Sequence, residues 1–229
     1  MAHDITLRYL GHSAFQIRHG SFDLLIDPFL TDNPCAAVKA AELEPTHILV
    51  THGHGDHLGD TVAIAKRTGC QVITVHEIAE WLTAKGIDAW GMGAGGGHTF
   101  DFGRVTTTLA HHSSSFDDGS YAGSPVGFVL QLDGRTIYHA GDTALFLDME
   151  LIGRRFALDV ALLPIGDNYT MGVCDAVMAV EMLKPVLTIP MHYDTFPPIA
   201  ADPADLRDRL EAKGFGVAIL APGDLHFLR

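Results

Sequence analysis

Thr51-His52-Gly53-His54-Gly55-Asp56-His57-Leu58-Gly59-Asp60 decides the reading of this chain. Three imidazoles and a carboxylate fall between His52 and His57, directly after the apolar run Ile48-Leu49-Val50. Residues 46–51 read as a buried strand, and 60–68 have helical spacing. A turn between a strand and a helix can aim such side chains at one point. Gly53 and Gly55 are expected to let the backbone bend sharply there. Neutral imidazole and carboxylate are the ligands of zinc and similar divalent ions. The HxHxDH spacing therefore predicts a metal site.

Three further segments extend that site outward. His111-His112 follow the β-rich stretch 104–109. Adjacent strand side chains point to opposite faces, so one of the pair should reach the metal, and spacing alone does not choose between them. His139-Ala140-Gly141-Asp142-Thr143 follows another strand, and Asp142 could bridge two cations. His139, within the strand, reads as a core histidine or one that supports a ligand. Thr188-Ile189-Pro190-Met191-His192-Tyr193 again delivers a histidine at the end of a buried strand.

Around these segments the elements alternate in a regular way. Short β-rich runs at 5–10, 14–17 and 22–26 suggest an antiparallel meander. A β-α-β-α run follows, with strands at 46–51 and 71–75 and helices at 60–68 and 77–85. Strands at 104–109, 126–132 and 135–139 come next, and Asp133-Gly134 marks a type I′ hairpin. The tail alternates once more: a strand at 159–163, a helix at 173–183, a strand at 186–189 and a helix at 203–213. Strands at 217–220 and 225–228 close the chain. Gly91 to Gly97 reads as a connecting loop, since neither a phosphate-binding GxxxxGK[ST] nor a strand-to-helix GxGxxG is present. Two similar halves follow from this order. Two mixed sheets packed face to face, with helices on both outer faces, satisfy the layer rule for an α/β domain. One domain over residues 1–229 is expected.

Composition excludes several functions. The 229 residues are 47% apolar and 19% charged, enough for a sizeable core. A net charge of −13 argues against a broad nucleic-acid surface. No apolar run reaches the roughly 18–20 residues of a membrane span. The N-terminus lacks the pattern of a signal peptide. Cys35, Cys70 and Cys174 are odd in number and read as reduced packing residues of a cytoplasmic protein.

HxHxDH, a later His, Gly-Asp-Thr and a late His together resemble the metallo-β-lactamase-fold hydrolase superfamily, whose fold is an αββα four-layer sandwich. More closely, the chain resembles a bacterial and archaeal branch of metal-dependent hydrolases near the ascorbate-phosphate lactonases. Leu10-Gly11-His12-Ser13, Ile26-Asp27-Pro28-Phe29, His139 to Phe146, Pro164 to Gly172 and His192 to Pro197 carry that closer likeness. The resemblance implies two divalent ions, zinc or manganese, with iron or nickel as further choices. His52, His54 and His112 would hold one ion; Asp56, His57 and His192 would hold the other; Asp142 would bridge them. His112 is preferred to His111 because the branch shows a His just before a Ser-rich turn. A hydroxide shared by two cations about 3.5–4 Å apart would be the nucleophile, and Asp56 would orient it. His12 is a candidate catalytic residue, as a substrate contact or proton donor, or else structural. Asp27 and Asp60 either fix imidazole tautomers or serve as turn and cap residues. Residues 167–171 either cap the next helix or line the pocket, and Tyr193 and Phe196 could shape a wall. An imidazole at His54 departs from the flavodiiron branch, which has a carboxylate there. The expected activity is cleavage of a small-molecule ester, lactone or phosphoester by a homo-oligomer. A nuclease and a non-catalytic metal-binding protein are the alternatives.

Overall fold

A computed structural model describes residues 4–228. The first half of the chain forms strands β1 (Ile5–Gly11), β2 (Ala14–His19), β3 (Phe22–Ile26), β4 (His47–Leu49), β5 (Gln71–Val75) and β6 (Ala89–Met92). Helices α1 (Gly55–Leu58), α2 (Thr61–Thr68) and α3 (His76–Thr83) lie among them. The second half forms β7 (Gly97–Phe100), β8 (Gly103–Leu109), β9 (Val126–Leu132), β10 (Arg135–His139), β11 (Val160–Pro164), β12 (Leu187–Met191) and β13 (Gly216–Val217), with helices α4 (Met149–Arg155), α5 (Val173–Leu183) and α6 (Pro203–Glu211). The last strand, β14 (Leu225–Leu228), returns to the first sheet beside β1.

The two seven-stranded sheets have the orders β14-β1-β2-β3-β4-β5-β6 and β13-β12-β11-β10-β9-β8-β7. In each, an antiparallel meander passes into parallel strands joined by helices. Both halves thus repeat one plan, as the order of elements predicted. Side-chain alternation fixes what each face buries. Phe128, Leu130 and Leu132 of β9, Ile137 of β10, and Val160 and Leu162 of β11 join the core between the sheets. Their neighbours Val129, Tyr138, Ala161 and Leu163 pack outward against α4, α5 and α6. A one-residue slip in any of these strands would exchange the two faces, so burial on both sides specifies the register.

The structure corrects several expectations. The glycine-rich stretch is not all loop: Gly91 and Met92 end β6, Gly97 begins β7, and only the turn between them carries the chain from one sheet to the other. Glycine's weak β propensity hid both strands. Helices α1 and α4 were not expected because each is too short for a clear period. Cys174 is exposed and is not a packing residue, while Cys70 is buried. Asp133 and Gly134 do turn as a type I′ pair, with φ of 44° and 83°.

Candidate metal centre

The site gathers at one end of the sandwich, where strands of both sheets stop. Leu49 ends β4, and residues 52–57 follow it through the turn into α1. His112 lies beyond β8, Asp142 beyond β10 and His192 beyond β12. Gly53 and Gly55 serve differently from the expected bend, for neither has a positive φ. Each makes room for the loop after His112. A Cβ at Gly53 would meet the Ala122 side chain at 2.3 Å, and one at Gly55 would meet Asp117 Oδ1 at 2.9 Å. Ser114 ties this loop down by accepting from Gly53 N at 3.1 Å.

Among the described residues, three overlapping groups of ligand atoms result. His52, His54 and His112 form one; His12, Asp56, His57 and His192 form a second; His52, His57 and Asp142 form a third. Asp142 stands among them, with its carboxylate 3.2 Å from His57 Nε2, 3.0 Å from His192 Nε2 and 3.6 Å from His112 Nε2. Nε2 of His57 and His192 and Oδ1 of Asp142 are buried and make no hydrogen bond of proper geometry. Buried polar atoms are almost always satisfied. Imidazole nitrogens and carboxylate oxygens turned to a common space are a donor set that could hold a divalent cation.

Hydrogen bonds around the site set which nitrogen faces inward. Asp27 Oδ2 accepts from His57 Nδ1 at 2.8 Å and from Thr51 Oγ1 at 2.7 Å. Having donated its proton, the Thr51 hydroxyl is an acceptor for His52 Nδ1 at 3.0 Å. One buried carboxylate therefore orients two imidazoles, one directly and one through Thr51, and turns both Nε2 atoms towards the cluster, where His52 Nε2 lies 3.0 Å from His54 Nδ1. Asp27 is the tautomer-fixing group of the two candidates. Asp60 instead anchors a loop, accepting from Leu30 N, Thr31 N and Thr31 Oγ1.

Electrostatics follow from burial and neighbours. Burial keeps His52 well below the ordinary imidazole range, and His54 and His112 are also lowered by burial. These three are neutral lone-pair donors at pH 7. Burial works against a charge on His57 too, but Asp142 and Asp27 outweigh it and raise it well above that range. Asp142 is held well below the carboxylate range because His57 and His192 overcome the cost of burial. This crowd of imidazoles and carboxylates sharing protons is one that a divalent ion would neutralise.

The family model for the beta-lactamase superfamily domain matches residues 6–192. The chain belongs to the metallo-β-lactamase superfamily. It is 51% identical over 221 residues to a UPF0173 metal-dependent hydrolase of Pelotomaculum thermopropionicum, covering 94% of this chain and 96% of that one. A UPF0173 metal-dependent hydrolase of Symbiobacterium thermophilum is also 51% identical, over 97% of this chain and 99% of its own. The solved structure of Igni18, a metallo hydrolase from the archaeon Ignicoccus hospitalis, superposes with a TM-score of 0.91 at 38% identity over 99% of both chains. Both the metal-dependent hydrolase family and the sandwich fold are thereby shown.

Other residues of this hydrolase take places the sequence left open. His112 joins the cluster, whereas His111 is exposed and stacks on Phe146 at 4.8 Å. His139 is structural: Nε2 reaches Ser13 O at 3.0 Å, linking the two sheets, and Nδ1 accepts from Gly141 N. The helix α5 is capped by Gly172 without a side-chain bond, so neither Asp167 nor Thr170 caps it. Tyr169 from that loop lines the cavity over the cluster, with His54, Asp56, His112, Ser113, Asp142 and His192. Tyr193 packs into the helix-covered core, and Phe196 lies against His12 and Phe29. Sequence reasoning missed Thr51 and Thr195 as parts of the site. Thr51 carries one signal, a hydroxyl next to His52, whereas Thr195, three residues past His192, carries none.

Proposed function

We propose that this hydrolase is dinuclear and cleaves a small-molecule ester, lactone or phosphoester bond. His52, His54 and His112 would hold one divalent ion, and Asp56, His57 and His192 the other. Asp142 is the observation that carries this reading: one buried carboxylate has His57 and His192 at about hydrogen-bond distance and His112 nearby. Zinc or manganese suits the mixed imidazole and carboxylate set. Bound there, such ions would lower the pKa of a water towards neutrality and polarise the scissile carbonyl or phosphoryl oxygen.

The chain's own groups prepare that chemistry. Asp27 and Thr51 hold the His57 and His52 rings so that Nε2 of each faces inward. Asp56 is a third exposed and lines the cavity, so its carboxylate reaches both the ions and an incoming water. The cavity measures about 300 Å³, room for a small molecule. Ser113 and Tyr169 offer hydroxyls at its rim, and no Lys or Arg is among the lining residues. That lining and the net charge of −13 support a small substrate over a nucleic acid.

A hydrolysis panel tests the reading. Zinc- and manganese-loaded protein is offered lactones, carboxylic esters, phosphomonoesters and phosphodiesters, with Asp142→Ala as the blank. Turnover of one class, lost in the blank, is expected. Silence across all classes with both ions bound, or turnover that survives in the blank, contradicts it.

A further inference from the structure

His12 is one of eight imidazole and carboxylate groups in the cluster, beside His52, His54, Asp56, His57, His112, Asp142 and His192. It is fully buried, does not line the cavity, and sits in the turn between β1 and β2 with a left-handed φ of 58°. Two hydrogen bonds hold it in that conformation, since Tyr9 Oη and His192 N both donate to His12 O, at 3.0 and 2.8 Å. Its ring is enclosed by Phe29, Phe196 and His192, the last only 4.1 Å away between centroids. Nδ1 is 2.8 Å from Thr195 Oγ1, and Nε2 is 3.3 Å from Asp56 Oδ2, an electrostatic contact without full hydrogen-bond geometry.

Donor and acceptor chemistry assigns the protons. An ionised carboxylate only accepts, so the nitrogen facing Asp56 carries hydrogen. Nδ1 of a neutral ring is then an acceptor, and the Thr195 hydroxyl, 2.8 Å from it and 3.4 Å from the competing acceptor Tyr193 O, is the donor that suits it. The resulting chain runs from Thr195 through His12 to Asp56. With Oδ2 turned to His12, Oδ1 is the oxygen left for the cavity.

We propose that His12 is a positioning residue that, itself oriented by Thr195, holds the Asp56 carboxylate in place for the second ion. This rests on the two-ion reading above. It assigns His12 neither contact with substrate nor a bond to metal. Partners that orient a ligand in this way are worth about 10–100-fold in metal affinity.

Zinc titrations by calorimetry and cobalt(II) absorption spectra of His12→Phe, His12→Gln and Thr195→Val test it, with thermal melts alongside. His12→Phe keeps a ring but loses the donor, and is expected to weaken one of the two ions by about 10–100-fold while leaving the cobalt bands at saturation unchanged. His12→Gln carries an amide N–H to the same reach and is expected to recover most of the loss. Thr195→Val falls between the two.

A His12→Gln variant as weak as His12→Phe, with altered cobalt bands in both, would show a lost ligand and overturn the proposal. So would variants that melt earlier yet bind both ions as the parent does. If His12→Phe does not fold, Thr195→Val decides alone, and unchanged affinity there overturns the proposal. No substrate enters the titration. A parent chain that binds two ions and hydrolyses nothing sinks the hydrolase chemistry and leaves the His12 result standing, whereas one that binds fewer than two overturns both.

Discussion

Histidine stands at the start of β4 and again beyond its end, and the two places differ in what surrounds it. At the start of the strand His47 packs edge-on against Phe102 at 4.7 Å, within reach of Phe22 and Phe100. His98 and Trp90 continue the same aromatic seam, 4.3 Å apart. Past the other end, His52, His54 and His57 meet Asp142, Asp56 and Asp27. The seam uses imidazole as a flat, half-polar ring that closes the edge of the sandwich. The cluster uses it as a lone-pair donor, with buried nitrogens left unbonded. A count of histidines therefore does not mark a site; several imidazoles turned to one buried carboxylate do. Cavity size misleads in the same way. The groove over α2, lined by Leu30, Ala36, Ala63 and Arg67 among others, measures about 730 Å³ against about 300 Å³ at the cluster.

The contrast can be broken by substitution, and Asp142→Asn should do most. It keeps the shape and removes the charge between the two ligand sets. Metal analysis should show at least one ion lost, and turnover should fall to the uncatalysed rate. The neighbouring histidines come next. His112→Ala should lose metal, while His111→Ala should keep full metal content, because His111 only stacks on Phe146. Third is Asp27→Asn, which weakens the hold on two rings at once. Zinc affinity should fall about 10–100-fold in a competition assay with a chelating dye.

A pH effect isolates His12. Burial, against a weaker pull from Asp56, takes its pKa down to about 4 from 6.5. The unfolded chain thus binds a proton near pH 5 that the folded site refuses, and the folded state loses stability as pH falls from about 6.5 to about 4. Glutamine does not titrate. Urea melts of the metal-free proteins should show the deficit of His12→Gln relative to the parent shrinking by about 2 kcal/mol between pH 7 and pH 5. Smallest is His47→Leu in the seam. It should cost on the order of 1 kcal/mol in a melt and leave metal content unchanged.

Much of this was legible from residues. The HxHxDH turn, the strand-end position of His192 and the existence of β9 to β11 follow from local pattern, and the two-sheet architecture follows from the order of elements. The remainder depends on contacts distant in sequence. Asp27 looks like a residue ending a strand until Thr51 and His57 are brought to it. Gly53 and Gly55 look like bending points until the loop at Ser115 to Ala122 is laid over them. His111 and His112 are equivalent until the chain leaves β8 at Leu109 and no longer alternates as a strand. Strands β6 and β7 were hidden by glycines whose places in the sheets are fixed by pairing with β5 and β8.

Anomalous diffraction from crystals of zinc-loaded protein tests the central claim most directly. Two peaks about 3.5–4 Å apart are expected, one beside His52, His54 and His112, the other beside Asp56, His57 and His192, with Asp142 touching both. A single peak, or a second peak away from Asp142, would contradict it.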